Sequence, residues 1–370
     1  MADVPPTRRQ VARFGAALGA LPLLSGLAAP AARAEARSGG GVRRSRWQAP
    51  SDRGVRVAVR EVWHTRAFDR DLPQVVLLHG ARVPGAASFD LPVDGGSLAH
   101  DLAAAGHRVH IMDARGYGDS TRPPAMDRPA RENPPLAVGT EVVRDIAAVV
   151  DQVRHRSGRR VSLVGWATGG HWLGWYAARH PAAVGHLVIY NSLYGEVDGH
   201  PTLGRGTDYE DPERPGEFNA ALFGAYRFST GASLLPSWDN SIPVDDKSRW
   251  RDPEVVESYV REALASDPTS GDREPPSFRA PTGALSDSFY LATGRKLWNA
   301  RGIRARTLVL RSEFDFWSRA EDVPTLRADL VNAARVRTVE LAGATHYAHL
   351  DRVDKGRGQF LEEVLAWLRR

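Results

Sequence analysis

Hydrophobic and polar positions follow two different periods along the chain from residue 54 onward. Short alternating or continuous apolar segments predict strands at residues 55–60, 74–78, 108–112, 161–164, 186–190, 306–310 and 336–341. Between them, longer segments with helically spaced apolar residues predict helices at 97–105, 142–153, 171–179, 326–333 and 360–368. Strands and helices that alternate in this way are typical of an α/β fold, with a mostly parallel sheet covered by helices on both faces.

One long interval, residues 196–301, interrupts this alternation and divides the α/β core into residues 54–195 and 302–370. The interval is rich in proline, aspartate and glutamate, and a structureless loop of about a hundred residues would be unusual in a compact domain. The sequence therefore predicts a mostly helical cap insertion over the carboxyl ends of the strands, where ligands bind in such sheets. Its many aromatic residues suggest an enclosed apolar pocket, although we expect most of them to form the core of the cap itself.

The N-terminal residues resemble a targeting signal. Arg8 and Arg9 precede a mild apolar stretch, residues 14–29, and Ala32-Arg33-Ala34 follows as a small-x-small cleavage pattern. Residues 1–34 thus resemble a twin-arginine signal peptide, which implies export to the periplasm or the outside; the alternative is a disordered basic tail. Residues 35–53, which include SGGGVRRSR, are typical of a flexible linker. No other segment has the length and apolarity of a membrane span.

Composition narrows the possible chemistry. The 370 residues are 42% hydrophobic and 25% charged, with a formal net charge of +5, as in ordinary soluble domains. Four arginines and one aspartate of that total lie in residues 1–34, so the rest is nearly balanced and gives no reason to expect nucleic acid. Without cysteine, the chain has no disulfides and no thiolate chemistry. His107 and His110 lack a third metal ligand, and no G-x-G-x-x-G spacing occurs, so we expect no metal and no cofactor.

The segment Gly165-Trp166-Ala167-Thr168-Gly169-Gly170 carries the strongest chemical signal. It joins a predicted strand to a predicted helix, as the G-x-S-x-G nucleophile elbow does. In that sharp turn the central side chain projects from the sheet, and the flanking glycines avoid clashes. Every part of the motif is present except the serine, which is replaced by Ala167.

Four further motifs occur in the order that one family uses. They are His79-Gly80 after a buried strand, the turn from Asp113 to Ser120 (DARGYGDS), Asp315 after a strand, and His346 after the last strand. Together with the elbow, these motifs identify the chain as resembling the α/β-hydrolase fold superfamily, in particular its capped serine esterases. The similarity covers about residue 54 to the C-terminus, apart from the insertion.

The resemblance implies a role for each of these residues. His346 would be the general base, and Asp315 would hold its tautomer and stabilise the imidazolium. The backbone N–H groups of Ala81 and Thr168 would form the oxyanion hole. A weaker alternative makes His349 the base, and another makes Glu313 the acid. Thr168 is a conceivable substitute nucleophile, but we expect its side chain to point into the start of the helix.

Ala167 leaves three interpretations open, because a methyl group cannot attack a carbonyl. In the first, the nucleophile was replaced, which leaves an inactive or substrate-trapping form of a carboxylic ester hydrolase. In the second, the chain is a natural ligand-binding pseudoenzyme. In the third, the Asp315–His346 dyad acts directly on water or a substrate proton, in hydrolase, lyase or isomerase chemistry. We favour the first, with a small to medium, apolar ester as the partner molecule. A parent with aspartate at residue 167, as in epoxide hydrolases, is the less favoured version. The sequence does not predict an oligomeric state.

Overall fold

An eight-stranded sheet forms the centre of the computed structural model, which describes residues 41–65 and 72–369. The strands of the described chain, including two in the cap, are β1 Val42–Pro50, β2 Arg56–His64, β3 Gln74–Leu78, β4 Arg108–Met112, β5 Val161–Trp166, β6 Val184–Tyr190, β7 Tyr226–Thr230, β8 Ser277–Pro281, β9 Arg306–Phe314 and β10 Val336–Thr345. The central sheet has the order β1-β2-β4-β3-β5-β6-β9-β10. Pairings β1–β2 and β2–β4 are antiparallel, and the others are parallel. The predicted α/β fold with its mostly parallel sheet is therefore confirmed.

Helices cover the sheet and build part of the cap. They are α1 Gly85–Phe89, α2 Leu98–Ala104, α3 Gly139–Ser157, α4 Thr168–Arg179, α5 Ala220–Phe223, α6 Leu235–Ser241, α7 Pro253–Ala265, α8 Gly283–Ala292, α9 Asp322–Asp329 and α10 Arg357–Leu368. In α3, Val142, Ile146, Val149 and Val153 recur at helical spacing and are all buried, which explains why this segment is an amphipathic helix on the sheet. No helix in residues 41–65 and 72–369 combines the length and apolarity needed to cross a bilayer.

The cap is less helical than the sequence predicts. Besides α5–α8, it contains β7 and β8, which pair antiparallel as a separate two-stranded sheet. Each of these strands has only five residues, so its alternating pattern is a weak strand signal. Its pairing partner lies far away in the sequence and cannot be recognised from the neighbouring residues. Phe218, Phe223 and Phe289 pack together inside the cap, as expected for its own core.

The predicted linker of residues 35–53 is wrong where the structure describes it. Residues 42–50 form β1, which pairs along its whole length with β2 at the edge of the sheet. Only Val42 and Ala49 of this strand are buried, so most of its positions can be polar. The resulting composition resembles that of a linker. An edge strand keeps one side open to water, which is why charged residues are tolerated there. The predicted signal segment, residues 1–34, lies outside the described residues.

Candidate active site

Ala167 lies at the tip of a sharp turn between β5 and α4. Its backbone has φ 51° and ψ −120°, a conformation that non-glycine residues rarely adopt and that strained functional turns often contain. The flanking glycines make the turn possible. A Cβ atom on Gly165 would lie 2.6 Å from the carbonyl oxygen of Gly169, and one on Gly169 would lie 2.3 Å from that of Leu78. The segment thus has the backbone of a nucleophile elbow with alanine at its centre.

The structure brings His346 and Asp315 together, as the sequence predicts. His346 follows β10 and Asp315 follows β9, and the imidazole Nδ1 lies 2.7 Å from the carboxylate Oδ1. The backbone N–H of Trp317 donates to the same oxygen at 2.8 Å, and the Ser318 hydroxyl donates to Oδ2. Burial raises the pKa of Asp315, but the nearby imidazole and these hydrogen bonds outweigh it and lower the pKa below the usual range. A charged Asp315 can therefore orient His346 and stabilise its protonated form.

The backbone of His346 is fixed by two side chains that the sequence did not single out. The indole Nε1 of Trp166 donates to the His346 carbonyl oxygen at 3.0 Å, and Asn191 Nδ2 donates to the same oxygen at 3.0 Å. Asn191 also exchanges two hydrogen bonds with Ser312 on β9, through Nδ2 and through Oδ1. We call Asn191 with Ser312 the asparagine clamp, because it ties the ends of β6 and β9 to the histidine loop.

Ala81 lies in the loop after β3, where the sequence placed the oxyanion hole. His79 holds this loop: its Nε2 accepts from the backbone N–H of Ala114, so its Nδ1 carries the proton and donates to the Gly80 carbonyl at 2.7 Å. Burial lowers the pKa of His79 to about 4, so the ring is neutral at pH 7. From the DARGYGDS turn, the Tyr117 hydroxyl lies 2.9 Å from the Ala81 carbonyl oxygen.

Ala81 and Thr168 both line the cavity at the elbow. Within the described part of the chain, neither backbone N–H donates to an acceptor in the protein. Both amides are therefore available for a ligand oxygen, which is what an oxyanion hole requires.

A cavity of about 340 Å³ connects these groups under the cap. Ala167, His346, Ala81 and Thr168 all line it, and so do aromatic residues from core and cap. Among the cap aromatics, Tyr209 and Tyr259 line the cavity, while Trp238 is buried and stacks on Tyr347 with ring centroids 4.6 Å apart. The lining is not uniformly apolar, because it also contains Arg82 and Arg227.

The weaker sequence alternatives lie in other surroundings. His349 is buried among the rings of Phe89, Trp166 and Tyr190, and burial lowers its pKa to about 3. Glu313 is exposed and accepts from the Gly343 backbone N–H at 2.8 Å, instead of contacting a histidine. Thr168 opens α4 with its hydroxyl oxygen buried. His346 and Asp315 are therefore the pair that the structure places at the elbow.

A mostly parallel eight-stranded sheet, an elbow after β5, an acid after β9 and a histidine after β10 together define an α/β-hydrolase fold. The chain belongs to the alpha/beta hydrolase family, whose sequence profile matches residues 75–355. No curated protein matches the chain at a significant level.

Several solved structures are similar to this chain in fold at low sequence identity. The thermophilic esterase from Thermogutta terrifontis has 16% identity and a TM-score of 0.55, over 88% of this chain and 98% of that chain. Epoxide hydrolase A from Mycobacterium thermoresistibile has 19% identity and a TM-score of 0.55, with the same coverage. The thioesterase domain from the curacin biosynthetic pathway has 14% identity and a TM-score of 0.54, over 88% of this chain and 99% of that chain. At these identities the likeness establishes the fold.

Proposed function

We propose that the cavity binds a carboxylic ester and is organised for ester hydrolysis of the Ser-Asp-His type, with Ala167 at the position of the nucleophile. The observation that supports this most strongly is the 2.7 Å hydrogen bond between His346 and Asp315 in a cavity that Ala167 also lines. A histidine held by a buried carboxylate beside an elbow is the arrangement that activates a hydroxyl nucleophile.

Each group then has a definite part in the reaction of a serine-bearing form. His346 Nε2 would take the proton of the hydroxyl as its oxygen attacks the ester carbonyl, and would return that proton to the departing alcohol. The amides of Ala81 and Thr168 would bind the negative oxygen of the tetrahedral intermediate. In the chain as it stands no acyl-enzyme forms at residue 167. The ester therefore binds without being cleaved by this route.

A second candidate uses the dyad without a covalent step. Within the described residues His346 Nε2 has no hydrogen-bond partner, so it can accept a proton from water or from a bound substrate. Such chemistry would not need a side chain at residue 167. This candidate predicts activity of the unaltered chain that disappears with His346→Ala.

The test replaces the one missing group and measures turnover. Ala167→Ser is assayed on p-nitrophenyl esters from acetate to octanoate, beside the unaltered chain, Ala167→Gly and the double variant Ala167→Ser with His346→Ala. Removing a triad member typically lowers turnover by about 10⁴- to 10⁶-fold, so restoring one should raise it by at least about 10³-fold above the unaltered chain. The gain should vanish in the double variant.

Two outcomes would overturn the proposal. One is a folded Ala167→Ser variant that is no faster than Ala167→Gly on every ester. The other is an Ala167→Asp variant that opens styrene oxide while the serine variant is silent, which would assign an epoxide hydrolase with an aspartate nucleophile.

A further inference from the structure

Among the described residues, the cavity is lined by two arginines and by no acidic residue. Arg82 and Arg227 both line it, and none of the lining residues in the described chain is an aspartate or glutamate. Asp315 does not line the cavity, and its carboxylate is hydrogen-bonded to His346. The cavity is therefore a positively charged space, in contrast to the apolar pocket expected from the cap composition.

Arg82 is fixed in place by uncharged acceptors. Its Nε donates to the Ser229 hydroxyl at 3.0 Å, while Nη1 and Nη2 donate to the carbonyl and hydroxyl of Ser233 at 2.8 and 2.7 Å. These bonds use three of the five guanidinium N–H groups and leave the charge uncompensated. Ser229 lies two residues after Arg227 on β7, so both side chains project from the same face of that strand, toward Arg82.

Arg227 has neither a hydrogen bond nor an ion pair from its side chain to any residue of the described chain, and its Nε is buried. Burial, together with the neighbouring Arg82, lowers its pKa. Taking a cation out of water without a partner costs several kcal/mol, so proteins normally pair such groups.

The three arginines of the described chain that are buried as whole residues follow that rule, whereas Arg227 is half-buried. Arg115 contacts Asp145 at 2.7 Å, Arg279 contacts Asp267 at 3.0 Å, and Arg357 is paired with Asp101. Arg227 differs from these three in facing a cavity. The missing counter-charge is therefore best supplied by a molecule that enters the cavity.

We propose that the ligand of this site carries an oxyanion group, in the simplest case a carboxylate, which Arg227 binds with the help of Arg82. The inference rests on the proposed function, since it takes the same cavity as the place where an ester meets His346. Arginine presents a planar pair of donors that matches carboxylate and phosphate oxygens. The substrate class is then a half-ester, an acid at one end and an ester at the other.

The experiment measures binding by the unaltered chain, in which Ala167 prevents turnover through an acyl-enzyme. Isothermal titration compares monomethyl glutarate with methyl pentanoate, a neutral ester of similar length, and with butyl phosphate. The half-ester should bind at least about 10-fold more tightly than the neutral ester, because a hydrogen bond to a charged group is worth that much or more. Tighter binding of butyl phosphate than of the half-ester would assign a phosphate ligand to the same two arginines.

Charge variants locate the effect. Arg227→Gln should weaken half-ester binding by about 10- to 100-fold and leave binding of the neutral ester unchanged. The half-ester affinity of Arg227→Lys should lie between those of the unaltered chain and of Arg227→Gln. Arg249→Gln is the matched control, because Arg249 also lies in the cap but is exposed, and should alter neither affinity. If Arg227→Gln fails to fold, as judged by its thermal melt, Arg82→Gln replaces it with the same expected selectivity.

Equal affinity for the half-ester and the neutral ester would overturn the inference, and so would an Arg227→Gln loss of the same size for both. Failure of the proposed function looks different. If the half-ester binds selectively but Ala167→Ser hydrolyses neither p-nitrophenyl hemiglutarate nor p-nitrophenyl pentanoate, only the hydrolase proposal falls. If Ala167→Ser hydrolyses both equally well, only the anion site falls.

Discussion

The asparagine clamp should make a measurable contribution to stability, although neither Asn191 nor Ser312 lines the cavity. Asn191 is completely buried and takes part in three short hydrogen bonds, at 3.0 Å to Ser312 Oγ, 3.0 Å to the His346 carbonyl and 2.8 Å from the Ser312 amide. Asn191→Ala removes all three. The Ser312 amide and hydroxyl are then buried without this partner, while the His346 carbonyl keeps the bond from Trp166.

The expected cost follows from these contacts. A buried polar group left without a partner costs about 1–3 kcal/mol, so the amide and hydroxyl of Ser312 together give roughly 2–6 kcal/mol. Asn191 also has φ 50°, and an alanine in the left-handed region adds about 1 kcal/mol. The free energy of unfolding should therefore fall by roughly 3–7 kcal/mol, a large share of the 5–15 kcal/mol typical of a domain.

Urea denaturation followed by circular dichroism and tryptophan fluorescence measures this change. Asn133→Ala is the control, because the one side-chain bond of Asn133, at 3.3 Å to the Pro129 carbonyl, is exposed to solvent, and the variant should lose less than about 1 kcal/mol. Asn191→Gly separates the cost of the lost hydrogen bonds from the cost of backbone strain, since glycine adopts a positive φ without strain. A loss below about 1 kcal/mol for Asn191→Ala, or native stability for Asn191→Gly, would show that the hydrogen bonds of the asparagine clamp do not stabilise the fold.

Two further predictions concern carboxyl groups. Burial raises the pKa of Asp287 to about 7 although its carboxylate accepts from Trp172 Nε1, so the folded protein binds a proton that the unfolded chain releases above about pH 4. The contribution of Asp287 to stability should therefore fall from pH 4 to 7. Asp287→Asn should be more stable than the parent at pH 8, by up to about 4 kcal/mol, but not at pH 4, as denaturation curves of both proteins at the two pH values would reveal. In an Ala167→Ser background, Asp315→Asn should lower kcat by about 10⁴-fold, while Glu313→Gln should leave it within about twofold; equal losses in steady-state kinetics would reject Asp315 as the acid.

Much of the core was predictable because its signals are local. The continuous apolar segment of β3 predicted that strand to the residue, since a strand buried on both faces has no polar side that obscures its ends. The bounds predicted for β4 also match the structure. The elbow was recognisable even without its serine, because Gly165 and Gly169 are required by backbone contacts alone. Asp315 and His346 could be placed by their positions after successive strands.

The missed features depend on contacts between distant parts of the chain. β1 is a polar edge strand whose partner fixes it, and β7 and β8 lie about fifty residues apart. Asn191 follows β6 with no motif around it, and its importance comes from Ser312 and His346, more than a hundred residues later. No motif surrounds Arg227 in the cap, and the absence of a counter-ion around it is visible only in three dimensions.

Covalent labelling tests most directly whether residue 167, His346 and Asp315 form one reactive site. Ala167→Ser is treated with a fluorophosphonate, and tandem mass spectrometry locates the adduct. We expect stoichiometric phosphonylation at residue 167, which slows by at least about 10³-fold when His346→Ala is added and is absent from the unaltered chain. If a folded Ala167→Ser variant stays unlabelled, or if labelling at residue 167 does not depend on His346, the three residues do not form one reactive site.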